Sequence, residues 1–171
     1  SLNTPACMSG MLRMAENGQL VRINKASGFF YDGACRSAFI SLMVHAQFFH
    51  DRLGFWDTVR MGGDSEFLRR VEHITEKPLP DLKAVTMLCL DNPEGLTNHP
   101  ELGHSEAAGV SPHRKAYKKN FMKRHAKLGV FDSRLPFPHE PRRFSAPIEM
   151  LNENGRIENL IRVYEGQGTV L

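Results

Sequence analysis

The chain has 171 residues, 41% of them hydrophobic, and a formal net charge of +3, enough for one domain with a modest core. Its apolar runs fall far short of the roughly 18–20 residues that a membrane-spanning helix needs, so no transmembrane segment is expected. Cys7, Cys35 and Cys89 are odd in number and widely spaced, which argues against a disulfide framework or a Cys-x-x-Cys metal site and predicts reduced, mostly buried thiols.

In chain order, residues 19–23 read as a short strand after the Glu16-Asn17-Gly18 turn, and residues 28–33 as an aromatic-containing loop. The apolar run AFISLMV at 38–44 predicts a buried central strand. Residues 46–53 predict a short helix stopped by Gly54, and residues 65–74 a second one, with Phe67, Val71 and Ile74 at helical spacing. Another apolar strand is expected over 85–90. Strands alternating with helices, with no internal repeat, point to an α/β layer.

Pro112 and Gly129 bracket a helix of about four turns over 113–128. Tyr117, Phe121 and Leu128 fall on one face of it; Arg114, Lys115, Lys118, Lys119, Lys123, Arg124 and Lys127 spread over the rest. A solvated amphipathic face is the plain reading. A phosphate-bearing substrate or an anionic membrane surface is the second, because an unbalanced positive face attracts such partners. No nucleic-acid-binding motif accompanies the charge, so no nucleic-acid partner is expected. From Asp132 onward Pro136, Pro138, Pro141 and Pro147 mark an extended linker. Asn152 to Gly155 signals a turn before a strand-like stretch at 157–164. The division expected is therefore a domain over 1–131 and a Pro-rich linker and tail over 132–171.

Within GGDSEFLRR at 62–70, two glycines precede an acidic pair at an apparent helix start. Glycine opens backbone conformations closed to other residues and leaves room for a ligand, which suits a carboxylate facing a cleft. The same sequence is also a good helix start without any chemistry: Asp64 can cap the first turn, and Glu66 sits well near the positive end of the helix dipole. The two roles are compatible.

Read with its flanks, this stretch resembles the acceptor side of family 2 glycosyltransferases of the GT-A fold. AFISLMV leading into AQFFHDRLGFWD at 46–57 is similar to that family's "sLm, helix, rlGyfD" run; GGDSEFLRR follows at the expected distance, and LDNPEGLT at 90–97 is similar to its "R-x-h-x-x-S-L-T" segment. The likeness covers roughly residues 5–130. The family's N-terminal βαβ half, with its Asp-x-Asp metal motif, has no counterpart: Asp32, Asp51 and Asp57 are isolated. The fold implied is a partial GT-A-like mixed sheet flanked by helices, and the chain is expected to be the acceptor-side half of a longer catalytic domain.

The resemblance implies transfer of a sugar from a nucleotide-diphosphate donor to a hydroxyl of a glycan or other acceptor in the cytoplasm. Asp64 matches the general base of an inverting displacement. Glu66 matches the second acid, expected to orient backbone or acceptor groups, and Arg60 is a candidate contact for a phosphate or the acceptor. A Mg or Mn ion would neutralise the departing diphosphate, with its main ligands in the other half. His99 and His104 follow the LDNPEGLT segment, where some GT-A enzymes supply a further metal ligand; a surface or loop position is the plainer reading for both. Trp56 can stack on a sugar ring or pack behind the acidic loop. The alternative function is a non-catalytic interaction module that binds an anionic partner through helix 113–128. An incomplete sheet would leave an exposed strand edge, so self-association at least to a dimer is expected.

Overall fold

A computed structural model describes residues 4–21, 29–30, 35–37, 39–92, 94–95, 99–105, 109–129, 133–136 and 142–151. The chain is a mixed α/β protein. Its central strand, β1 (Ala6–Met14), has β5 (Asp81–Leu90) running parallel along one edge, paired from Met8 opposite Asp81 to Met14 opposite Leu90 with register shifts on either side of Gly10. Along the other edge lie β3 (Cys35–Ser37) and β4 (Met43–Val44), both antiparallel, and β2 (Phe29–Phe30) pairs with β3. A separate hairpin joins β6 (His104–Ser105) to β7 (Gly109–Val110).

The central position of β1 corrects the expectation for residues 38–44. That run forms a 3-10 turn, Phe39–Ser41, followed by the two-residue β4, and Phe39, Ile40 and Met43 are exposed. Leu42 and Val44 pack against the core at its margin, and the Ser41 hydroxyl donates to the Ser9 carbonyl and accepts from the Ser9 N–H, both at 2.9 Å. Apolarity alone marked it as core, whereas the true core strand holds small residues, with Ser9 and Gly10 buried between neighbours. The strand expected at 85–90 starts earlier, at Asp81, and Val85, Leu88 and Leu90 along it are exposed. Of the strand expected at 19–23, Leu20 makes a single bridge to Met14, and residues 22–23 lie outside the described residues, as do the turn and strand expected at 152–164.

Among the described residues three α-helices complete the fold. The short α1 (Ala46–Phe48) runs into a π turn, Phe49–Leu53, that ends at Gly54 with φ 75°. The helix α2 (Gly63–Thr75) buries Phe67, Val71 and Ile74 as their spacing predicts, packing them with Ala6 and Leu53. The helix α3 (Pro112–Lys127) starts on a Ser111 cap whose Oγ accepts from the Arg114 N–H at 3.3 Å, with Pro112 in the first turn. It buries Tyr117, Phe121 and His125; the third buried position is His125, while Leu128 serves as the C-cap.

Within the segment expected to be a linker and tail, residues 133–136 and 142–151 pack on the domain. Leu135 is buried, and its backbone bonds to Leu53 and Phe55 on either side of Gly54. Residues 142–151 run back across α3 as a strap that buries Ala146, Met150 and Leu151 with Met61, Leu102, Tyr117 and Phe121. Prolines stop a helix but do not prevent an extended chain from packing, and here the apolar residues between them are what the core takes up.

Candidate functional site

The acidic loop between Gly54 and α2 is held from three sides. Arg70 of α2 is fully buried and donates from Nη1 to the Leu53 carbonyl and from Nη2 to the Phe55 carbonyl, both at 2.7 Å. Its charge is met by Glu66 one turn earlier, through Nε to Oε1 at 3.0 Å and Nη2 to Oε2 at 2.8 Å. His125 of α3 reaches the same carboxylate, Nε2 to Glu66 Oε1 at 3.0 Å; an ionised carboxylate only accepts, so Nε2 carries the hydrogen. The geometry is a fork of two parallel bonds closed by a third partner, the arrangement that lets an ion pair survive desolvation.

On the other flank, buried Asp57 accepts from the Thr58 N–H at 2.9 Å through Oδ1, and from the Tyr117 hydroxyl at 2.8 Å and Arg142 Nη2 at 2.6 Å through Oδ2. Burial, reinforced by the negative charges of Asp57 and Glu66, pushes the Tyr117 hydroxyl well above its ordinary pKa. The strap adds a backbone bond from the Arg60 N–H to the Met150 carbonyl at 2.6 Å.

From this frame the two glycines release α2. Gly62 is the helix N-cap at φ 77°, a conformation unfavourable to residues with a Cβ, and its carbonyl accepts from the Glu66 N–H at 3.0 Å. A Cβ on Gly63 would press on Val59 and the Asp57 carbonyl, at 3.3 and 3.4 Å. The helix therefore starts before Asp64, which corrects its expected role as the cap: Asp64 is the second helical residue and accepts at Oδ1 from the Ser65 N–H at 2.7 Å. Its carboxylate is exposed.

The sequence candidates thus separate. Asp64 faces solvent at the positive end of α2, whereas Glu66 has no exposed surface and is committed to Arg70 and His125. Arg60 is exposed. Trp56 stacks on Phe67 at 3.7 Å and nearly parallel, and 47% of its surface stays open. His99 accepts at Nδ1 from the N–H groups of Glu101 and Leu102, both at 3.2 Å, an occupation of that nitrogen that suits a turn and not a metal ligand. His104 lies in β6. Among the described residues no group of three or more His, Cys, Asp or Glu is placed to hold a metal ion, so the divalent cation implied by the resemblance finds no ligand set in them.

Arg114 was not singled out from the sequence as a partner of the site. Its Nε donates to the Leu102 carbonyl at 2.7 Å, and burial lowers its pKa while the negative charge of Asp64 acts in the opposite sense. A carboxylate and a guanidinium thus share the region where α2 and α3 begin. The signal was present in Ser111-Pro112-His113-Arg114, a capped helix start, but the proximity of the two charges arises from tertiary packing alone. Compared with known proteins, the chain matches no family model and no curated sequence. No described helix is long and apolar enough to cross a membrane.

Proposed function

We propose that this chain is the acceptor side of a GT-A-type, family 2-like glycosyltransferase, acting on a nucleotide-diphosphate sugar and a hydroxyl acceptor in the cytoplasm. The observation that carries the reading is the contrast within one helical turn: Asp64 presents an exposed carboxylate after Gly62-Gly63, while Glu66, two residues on, is buried. A helix start built only for stability has no need of that division. The ordered likeness of residues 38–57, 62–70 and 90–97 to the family supports it.

In this reading the acceptor oxygen attacks the anomeric carbon from the side opposite the leaving group. The oxygen–carbon bond forms, the bond from carbon to the diphosphate oxygen breaks, the nucleoside diphosphate leaves with the electron pair, and Asp64 takes the hydroxyl proton. Inversion follows. A general base must lie within hydrogen-bond reach of the nucleophile, and positioning supplies much of the remaining rate. Trp56 offers an aromatic face to the acceptor, Arg114 offers a cation whose charge interacts with that of the base, exposed Arg60 is a further candidate for a phosphate or the acceptor, and Glu66 acts indirectly by fixing Arg70 and the loop.

The test is transfer from a panel of nucleotide-diphosphate sugars by a polypeptide carrying both halves of the fold, comparing wild type with Asp64→Asn. Loss of a general base costs on the order of 100- to 10,000-fold in turnover. Near-normal transfer by Asp64→Asn would remove Asp64 from the mechanism, and absence of transfer by the wild type with every donor would remove the enzyme reading itself.

A further inference from the structure

The outer face of α3 plays no part in the site described above. Tyr117, Phe121 and His125 fix which side of the helix is buried, and Lys115, Lys118, Lys119, Lys123 and Lys127 all stand exposed on the rest. At 100° per residue these lysines occupy about half the circumference, and the helix runs 16 residues, roughly 24 Å. Met122 lies on this arc between Lys118 and Lys115, nearer its Lys118 edge, and is 42% exposed, with Lys118 and Lys119 one turn before it.

Nothing on the helix balances the charge. No Asp or Glu occurs between Glu106 and Asp132, and among the described residues none of the five lysines has a carboxylate within ion-pair distance. The strap extends the positive field: Arg143 is exposed, and its charge adds to burial in lowering the pKa of Arg124.

The two arginines of the helix are directed elsewhere, Arg114 to the Leu102 carbonyl and Arg124 to the Arg143 carbonyl at 3.2 Å. What faces outward is therefore lysine, a compact charge on a flexible stem, without the bidentate fork of arginine or any exposed aromatic ring to stack on bases. A convex, lysine-rich face with a flexible apolar side chain set among its lysines fits a flat, fluid array of phosphates better than a groove-bound chain. The stems reach headgroup phosphates while Met122 enters the interface between them. We propose that α3 is a docking surface for an anionic lipid bilayer, with the helix lying in the membrane plane. This surface is independent of the glycosyl-transfer reading, since it uses none of the residues assigned there.

The experiment is co-sedimentation of the 171-residue chain with neutral phosphatidylcholine vesicles and with vesicles containing about one third phosphatidylglycerol, across a salt series. Binding is expected to the anionic vesicles only, and to weaken as salt rises. Each basic residue near such a surface contributes roughly fivefold in partition, so Lys119→Glu with Lys123→Glu should weaken binding on the order of 100-fold. Lys77→Glu with Lys83→Glu, an equal charge change on other elements, should weaken it far less; because Lys83 gives up its pair with Asp81 at 3.0 Å, binding is compared at a temperature where thermal melting shows both double variants folded. Equal binding to neutral vesicles, equal losses in the two double variants, or absence of binding at physiological salt would each overturn the proposal. So would tighter retention by a polynucleotide than by anionic vesicles in the same buffer, which would reassign the face to nucleic acid.

Discussion

Arg142 and Asp57 lie 85 residues apart and meet at 2.6 Å, Nη2 to Oδ2, with 11% and 4% of their side chains exposed. The strap is thereby tied to the loop that leads into the candidate base. The same guanidinium donates from Nη1 to the Thr58 hydroxyl at 3.2 Å, so both donors serve two consecutive residues of the loop.

Removing one partner of a buried pair leaves the other charge desolvated and unmatched, at a typical cost of 3–5 kcal/mol. Arg142→Ala should therefore destabilise the chain by about 3 kcal/mol in urea unfolding. Arg142→Lys should recover only part of this, because one ammonium cannot span Asp57 and Thr58 with the geometry of the fork. A loss below about 0.5 kcal/mol would show that the strap is not anchored there.

Tyr117 makes the third bond to Asp57, and its raised pKa fixes the sign of a pH effect. The folded state holds the phenol proton more tightly than the unfolded state does, so between the unfolded pKa near 10 and the higher folded value the native chain binds more protons. The stability tied to Tyr117 is fully present below about pH 10 and is lost as pH rises above it. Ultraviolet titration should show one of the three tyrosines resisting ionisation until the chain unfolds, and Tyr117→Phe should abolish that late step.

The buried Glu66–Arg70 pair separates structure from chemistry. Glu66→Gln keeps the shape but leaves the Arg70 guanidinium without a counter-charge, and should cost about 3 kcal/mol in unfolding experiments. Replacing both partners with apolar residues, Glu66→Leu with Arg70→Met, should be less destabilising than the Arg70→Met single variant, because no lone buried charge remains. If Glu66 instead served an acceptor directly, Glu66→Gln would impair transfer while leaving unfolding unchanged.

Much of this was legible in the sequence where one local rule governed. The capped start of α3, its Tyr117 and Phe121 stripe and the Phe67, Val71 and Ile74 face of α2 follow from propensity and periodicity. The core strand escaped because Ala6–Met14 alternates neither by two nor by four: a strand paired on both edges can bury Ser9 and Gly10, and pattern reading rewards large apolar residues. The run at 38–44 misled for the converse reason. The division of labour between Asp64 and Glu66 was legible only as an acidic pair, since it depends on His125 arriving from a helix 59 residues away. The packing of Leu135 and the 142–151 strap was likewise invisible to proline counting.

Gly54 offers the sharpest test of how the loop is seated. It stands at φ 75°, pairs in parallel with Leu135, and a Cβ placed on it would collide with the Leu135 carbonyl. Backbone cannot move aside as a flexible side chain can, so Gly54→Ala combines an unfavourable dihedral with a clash that forces residues 133–136 off the loop. Gly62, at φ 77°, has nothing nearer to the same position than the Tyr117 ring at 3.5 Å, so Gly62→Ala meets the dihedral cost alone. That cost is roughly 1–2 kcal/mol for a residue forced into the left-handed region. Gly54→Ala should exceed it by at least about 1 kcal/mol, within the range known for overpacked interiors. Urea unfolding of the two variants side by side gives the comparison, and equal losses would mean that the crossing of Gly54 and Leu135 does not hold the loop in place.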